Sequence, residues 1–259
     1  MQRLSSGQLD VVVDLKNGGR ISSVKFLGYE FVIPNNQKIL HWGWYPMVPW
    51  AGRVNKGEYL GPSSTVKLPT NLMPPHAIHG FGHSLSWLDE GAGKSSCKFE
   101  GDFAGASAIQ EIRVIENSIH YKLEYLPGSC DLPAWLGLHT WFPWTIDSST
   151  RAIINFKARN MLKLTPDGIP TGELIPARGG LWDDTFTNIE ESPKITWPRI
   201  ASLELSSNVN WWTCYTKDPG VFCIEPLNAP PDAIRIGQLV GDTHSLEIIF
   251  TFTRDFILN

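Results

Sequence analysis

Polarity along the chain alternates with a period of two over several long runs. Ile119, Tyr121, Leu123 and Tyr125 are separated by His120, Lys122 and Glu124. Leu246, Ile248, Phe250 and Phe252 alternate with Glu247, Thr251 and Thr253, and Ile249 interrupts the polar side. Val11, Val13 and Leu15 form a third run around Val12 and Asp14. Successive side chains of a strand point to opposite faces, so each run predicts a strand with one face on a core and the other toward solvent or a second sheet. Turn clusters separate the runs, among them Asn17-Gly18-Gly19, Pro34-Asn35-Asn36 and Pro166-Asp167-Gly168. No amphipathic helical pattern of about 12 or more residues breaks in. With 23 Gly and 19 Pro, the chain reads as all-β, an antiparallel sandwich or barrel. No linker, low-complexity tract or fixed-period repeat divides it, so residues 1–259 are expected to form one domain.

Composition narrows the function classes. A chain of 259 residues, 42% hydrophobic and 19% charged, can bury a sizeable core. Its net charge of -4 comes without a basic patch, which argues against nucleic acid as a partner. No apolar run reaches the roughly 18 residues of a membrane helix. Residues 1–10 lack the charged and apolar regions of a signal peptide, so a cytoplasmic location away from membranes is expected. Cys97, Cys130, Cys214 and Cys223 are not spaced as C-x-x-C and are expected to be reduced, mostly buried thiols.

Four segments depart from the strand pattern and concentrate aromatic, Pro, Gly and ionisable residues. They are residues 40–54 (LHWGWYPMVPWAGRV), 74–87 (PPHAIHGFGHSLSW), 137–144 (GLHTWFPW) and 223–233 (CIEPLNAPPDA), with a weaker fifth at 181–186 (LWDDTF). Trp42, Trp44, Trp50, Trp87, Trp135, Trp141, Trp144 and Trp182 lie in or beside them. Any one Trp fills a core more often than it binds a ligand. Clustered near His, Arg and Asp, flat apolar rings suit the C–H face of a pyranose. Several motif-like stretches fail on inspection. Residues 91–96 lack the leading Gly of a phosphate loop, where Leu88 stands. Gly80-Phe81-Gly82 has no βαβ setting, and residues 82–86 lack the final Gly of a nucleophile elbow. His76, His79 and His83 could offer three nitrogens to a metal, but Pro75 and two glycines spoil helical spacing and H-E-x-x-H is absent. A hydrogen-bonding role for one of the three is the better reading.

In the same order along the chain, these segments resemble the aldose 1-epimerase (galactose mutarotase-like) family. Residues 18–34 (GGRISSVKFLGYEFVIP) are similar to the family's opening hairpin. Residues 45–54 (YPMVPWAGRV) resemble its arginine segment, which implies Arg53 as a substrate-binding residue. Residues 77–87 resemble its Leu-His-Gly segment and imply the same role for His79, and LWDDTF implies it for Asp183. GLHTWF implies His139 as the catalytic acid, and CIEPLNAPPDA implies Glu225 as the catalytic base. The fold implied is a large antiparallel β-sandwich, and the ligand a monosaccharide. The chain departs from the family in three places that border the pocket: Gly52 where Asn is common, Thr140-Trp141 where Pro-Tyr is common, and Leu227 where Gln is common.

The implied reaction exchanges the α and β forms of an aldose. A base takes the proton of the C1 hydroxyl, an acid protonates the ring oxygen, the ring opens, and closure on the other face reverses both transfers. One carboxylate and one histidine suffice, so neither metal nor cofactor is expected. At their ordinary pKa values Glu225 would be ionised and His139 would titrate near neutrality. Arg53, His79 and Asp183 would orient hydroxyls. Alternatives are a hexose-6-phosphate 1-epimerase, a non-catalytic sugar-binding protein on the same fold, and a glycosidase using Asp183 and Glu225. Against the first, the Arg expected before a Gly-Gly-Ile-Pro stretch is missing at residues 41–46, and phosphate sites favour Arg.

Overall fold

A computed structural model of the chain describes residues 1–147, 151–239 and 243–255. The alternating runs become strands of two antiparallel sheets. The first has eleven strands, in the order Gln2–Ser6, Leu9–Asp14, Arg20–Phe26, Trp44–Met47, Gly137–Pro143, Val221–Leu227, Trp211–Tyr215, Asp183–Ile189, Ala158–Leu164 and Pro170–Pro176, with Tyr29–Glu30 beside Arg20–Phe26. The second has eight, in the order Leu88–Gly91, Lys94–Lys98, Ser107–Ile115, Ser118–Leu126, Ser245–Arg254, Ala201–Ser207, Lys194–Trp197 and Ile153–Asn155. Two small two-stranded sheets complete the described strands: Arg53–Val54 with Ala77–Ile78, and the hairpin of Glu58–Leu60 with Thr65–Lys67.

The second sheet follows the sequence pattern closely. Ile119, Tyr121, Leu123, Tyr125, Leu246, Ile248, Phe250 and Phe252 are buried, while Lys122 and Glu247 pair across the outer face. Ile249, the residue that interrupts the polar side, is exposed there. Aromatic rings join the sheets: Trp44 to Phe250 at 4.6 Å, Phe26 to Phe252 at 5.3 Å, and Phe142 to Trp197 at 6.2 Å between centroids. Truncating one buried aromatic typically costs about 3–5 kcal/mol, so these contacts are a principal tie between the layers.

The middle strands of the first sheet are buried on both faces. Gly137–Phe142 and Phe222–Leu227 carry no exposed residue, because one face packs on the second sheet and the other lies under the segments rich in Trp, Pro and Gly. Trp44, Phe142 and Phe222 face the sandwich core. Their neighbours Tyr45, Trp141, Cys223 and Glu225 therefore point the opposite way. This second buried face is where the ionisable groups converge.

Two local details differ from the simplest strand reading. The first-sheet strand ends at Asp14, and Leu15–Asn17 form a 3-10 turn that still buries Leu15. The Asn17-Gly18-Gly19 cluster stops the strand there, with Gly18 in the left-handed region. The loop resembling a phosphate cradle is the tip of the hairpin between Leu88–Gly91 and Lys94–Lys98. All four cysteines are free and buried. Among the described residues no helix is long and apolar enough to cross a membrane.

Candidate active site

Antiparallel register lines the side chains into rows across the strands. One row holds Tyr45, His139, Glu225, Thr213 and Thr185. Tyr45 pairs with His139, Glu225 with Thr213, and Thr213 with Thr185. The pairs Gly137–Leu227 and Trp141–Cys223 fix the register between the two central strands, which sets His139 opposite Glu225. The neighbouring row holds Trp141, Cys223, Tyr215 and Asp183. Two segments some 85 residues apart in sequence are thus brought together by strand pairing alone.

The contacts within the rows are close. Nε2 of His139 lies 3.2 Å from Oε1 of Glu225, and the side chains are only 8% and 4% exposed. The Tyr45 ring stacks on the imidazole at 4.6 Å and 20°, and His79 meets it edge-on at 4.9 Å and 89°. Nδ1 of His139 faces Sγ of Cys223 at 3.7 Å.

The two-stranded sheet of Arg53–Val54 and Ala77–Ile78 delivers Arg53 and His79. Its register pairs Arg53 with Ile78, so the next residue, His79, emerges beside Gly52. The Gly52 N–H donates to Nδ1 of His79 at 3.3 Å, which assigns the neutral ring's proton to Nε2. Gly52 has φ 72, and a Cβ there would stand 2.4 Å from Pro231. A side chain at this position would therefore collide with Pro231. Arg53 donates to Oδ2 of Asp183 at 3.2 Å and to the Gly168 carbonyl at 3.2 Å. A Cβ at Gly168 would reach within 2.8 Å of Nη1 of Arg53, so the Pro-Asp-Gly turn leaves the guanidinium its space. Lys217 stands 4.0 Å from the same Asp183 oxygen.

Arg53, His79, His139, Asp183 and Glu225 all line one cavity of about 180 Å³. Drug-sized ligands occupy roughly 300–1,000 Å³, so the space suits one sugar ring. Its walls mix apolar groups such as Leu40, Trp141, Leu164 and Pro231 with the hydroxyls of Thr185, Thr213 and Tyr215.

Burial governs the protonation of the site. Desolvation pushes the Glu225 carboxyl well above the usual carboxylate range, the Asp183 charge adds to this, and the Arg53 charge opposes it. Desolvation also pushes His139 well below the usual histidine range, helped by the charges of His41, Arg20 and His83. His79 is lowered in the same way by burial and by His139. The expectation of an ordinary carboxylate and a near-neutral histidine is therefore corrected. Burial favours the uncharged pair, a carboxylic acid beside a neutral imidazole, because a dry environment penalises both charges.

The other residues singled out in the sequence fall elsewhere. His76 accepts the Lys56 N–H at Nδ1 and sits 3.3 Å from Asp167. His83 is buried under Tyr45, 5.6 Å between ring centroids, and does not line the cavity. Among the eight tryptophans, only Trp141 lines the cavity, where its indole N–H is held by the Leu40 carbonyl. The rest pack on rings or cap loops, as Trp50 does on Phe81, Trp135 on Tyr59 and Trp144 on Phe222. The Trp clustering thus marks ring packing on both faces of the first sheet more than a sugar platform. Sequence reasoning passed over Tyr45, Cys223, Thr185 and Thr213. Cys223 was within reach of it, since residue i−2 of a strand shares the face of Glu225.

One cluster has donor geometry for a metal: atoms of His139, Cys223 and Glu225 lie within 4.8 Å of one another. Each already engages another as a hydrogen-bond partner, and burial holds both the thiol and the carboxyl toward their protonated forms. The trio reads as a hydrogen-bonded chain.

No protein-family profile and no curated protein sequence matches the chain. Solved structures do. A protein from Escherichia coli K12, provisionally named an aldose 1-epimerase, is similar with TM-score 0.81 and 18% identity, covering 97% of this chain and 98% of that one. A galactose mutarotase-like protein from Clostridium acetobutylicum gives 0.76 and 14%, covering 97% and 94%. An aldose epimerase homologue from C. elegans gives 0.76 and 15%, covering 98% of each. The chain has the galactose mutarotase-like fold, the large antiparallel sandwich that its motifs imply.

Proposed function

We propose that this protein is an aldose 1-epimerase that interconverts the α and β anomers of a monosaccharide, with Glu225 and His139 as the proton-transfer pair. The observation that carries the reading is the 3.2 Å contact between Nε2 of His139 and Oε1 of Glu225 on the wall of a cavity sized for one sugar ring. Fold alone does not give the activity; the paired acid and base are what support the reading.

The two groups need to share only one proton. With the proton on His139, the Glu225 carboxylate takes the C1 hydroxyl proton while Nε2–H protonates the ring oxygen. The C1–ring oxygen bond breaks and C1 becomes a carbonyl. The pair is now a carboxylic acid and a neutral imidazole, still with one proton. After rotation about C1–C2, Glu225 returns its proton to the carbonyl oxygen and His139 removes the proton of the attacking hydroxyl. The uncharged pair favoured by burial is the form needed for ring closure. The charged form needed for opening has the same net charge, and Arg53 supports it by favouring the Glu225 carboxylate. Arg53, His79 and Asp183 bind and orient the sugar hydroxyls, and Asp183 is itself held by Arg53.

The test is polarimetry on freshly dissolved α-aldoses, run as a panel with and without a 6-phosphate. Glu225→Gln is expected to lower kcat by about 10²–10⁴-fold, the usual worth of general acid–base catalysis, while sugar binding survives. Sugar binding without acceleration of the optical change, or full activity in Glu225→Gln, defeats the reading. A strong preference for the phosphorylated sugar would move it to the hexose-6-phosphate class. Release of reducing sugar from a glycoside would move it to hydrolysis.

A further inference from the structure

Cys223 lies two residues before Glu225 on the Val221–Leu227 strand, so both side chains point to the same face. Its cross-strand neighbours are Trp141 and Tyr215, and it is fully buried. Sγ lies 3.7 Å from Nδ1 of His139, within the reach of a sulfur hydrogen bond. Donor atoms of Cys223, His139 and Glu225 lie within 4.8 Å of one another, and the thiol favours the ionised form of Glu225. Cys223 therefore contacts His139 on the ring nitrogen away from Glu225 and stands beside the carboxyl. No other hydrogen-bond partner occupies Nδ1 among the described residues, because Tyr45 covers the flat of the ring and His79 its edge.

We propose that Cys223 is a positioning residue for the acid–base pair: its sulfur accepts the Nδ1–H of His139 and its S–H is directed at Glu225, which reserves Nε2 for the travelling proton. The proposal rests on the acid–base reading above. A neutral imidazole has one N–H and one acceptor nitrogen. If the N–H were on Nε2, that atom could not take a proton from the sugar during ring closure. A partner that accepts from Nδ1 selects the productive tautomer. Sulfur is a weak acceptor, so it orients the ring without stabilising the imidazolium as a carboxylate would. The imidazolium stays acidic enough to protonate an ether-like ring oxygen. Burial, reinforced by the Glu225 charge, pushes the thiol well above its ordinary pKa, so it keeps its own hydrogen for Glu225 and is a poor nucleophile.

The test reads the tautomer directly, by long-range 1H–15N correlation on sugar-free protein labelled at histidine. The His139 signals are assigned by their loss in His139→Asn. Wild-type protein and Cys223→Ser are expected to show the Nδ1–H form, and Cys223→Ala a mixture of both tautomers. In polarimetry, Cys223→Ala should lower kcat about 10-fold, the worth of one buried hydrogen bond, with KM changed less than about 2-fold. Cys223→Ser should recover most of the loss, which a purely space-filling role does not predict. An Nε2–H tautomer in the wild-type protein, or a tautomer indifferent to residue 223, overturns the proposal, and the wild-type spectrum decides even if the Ala variant does not fold. A tautomer that responds to residue 223 in a protein without mutarotase activity supports the positioning role and sinks the proposed function alone.

Discussion

His83 gives the protein a built-in acid sensitivity whose size follows from its surroundings. The ring is 2% exposed, and neither nitrogen has a hydrogen-bond partner among the described residues. The Arg20 guanidinium donates to the His83 carbonyl at 2.7 Å, so a fixed positive charge lies next to it. Burial first, and that charge second, lower the His83 pKa from 6.5 to about 4. The unfolded chain takes up this proton below pH 6.5, whereas the folded chain refuses it until about pH 4. Between those values the unfolded state binds more protons, so stability is present above pH 6.5 and falls as the pH drops. At about 1.4 kcal/mol per pH unit, the window amounts to about 3 kcal/mol from this one residue. His83→Leu keeps similar bulk and cannot be protonated. Urea unfolding of both proteins, followed by tryptophan fluorescence, is the assay. Near pH 7.5 the two should agree within about 1.5 kcal/mol. By about pH 4.5 the variant should have gained about 2–3 kcal/mol on the wild type. Parallel stability curves across this range would refute the account of His83 as a buried neutral base.

Activity should depend on the pair carrying one proton. Burial lowers His139 from 6.5 and raises Glu225 from 4.5, so both limbs of the activity profile move away from the ordinary values of these groups. The limbs of the kcat/KM profile are expected to depart from the ordinary carboxylate and histidine values wherever the fold holds, and a bell with its limbs at those ordinary values would contradict the uncharged resting pair. Arg53→Ala releases Asp183 and removes the charge that favours the Glu225 carboxylate; sugar titrations should show binding weakened by about 10–100-fold, in line with loss of a charged hydrogen bond. Gly52→Asn puts a Cβ 2.4 Å from Pro231 at φ 72, and should cost about 1–3 kcal/mol in thermal or urea melts. Arg20→Met strips the carbonyls of Asn17, Ile39, Trp42 and His83 of their donor and should destabilise by at least about 3 kcal/mol, since each buried acceptor left alone costs about 1–3.

The alternation of Ile119 to Tyr125 and of Leu246 to Phe252 by itself determined two strands of the second sheet, each with one wet face. A strand with one wet face must alternate, and that pattern is written locally. The central strands were less legible. Gly137–Pro143 and Val221–Leu227 are buried on both faces, so periodicity gives no sign of which residues meet the core and which meet a ligand. The resembled motifs selected Arg53, His79, His139, Asp183 and Glu225 as a set, but not their arrangement. Only strand pairing set His139 opposite Glu225, and only the roof of loops over the sheet dried the site enough to leave both uncharged. Packing takes up most of the tryptophans that the sequence alone favours as sugar-binding surfaces, and Trp141 lines the cavity. Cys223 shows the division most clearly. Its spacing from Glu225 fixed the face it shares, whereas its contact with Nδ1 of His139 depends on a neighbouring strand more than 80 residues away, a distance in sequence that no local pattern spans.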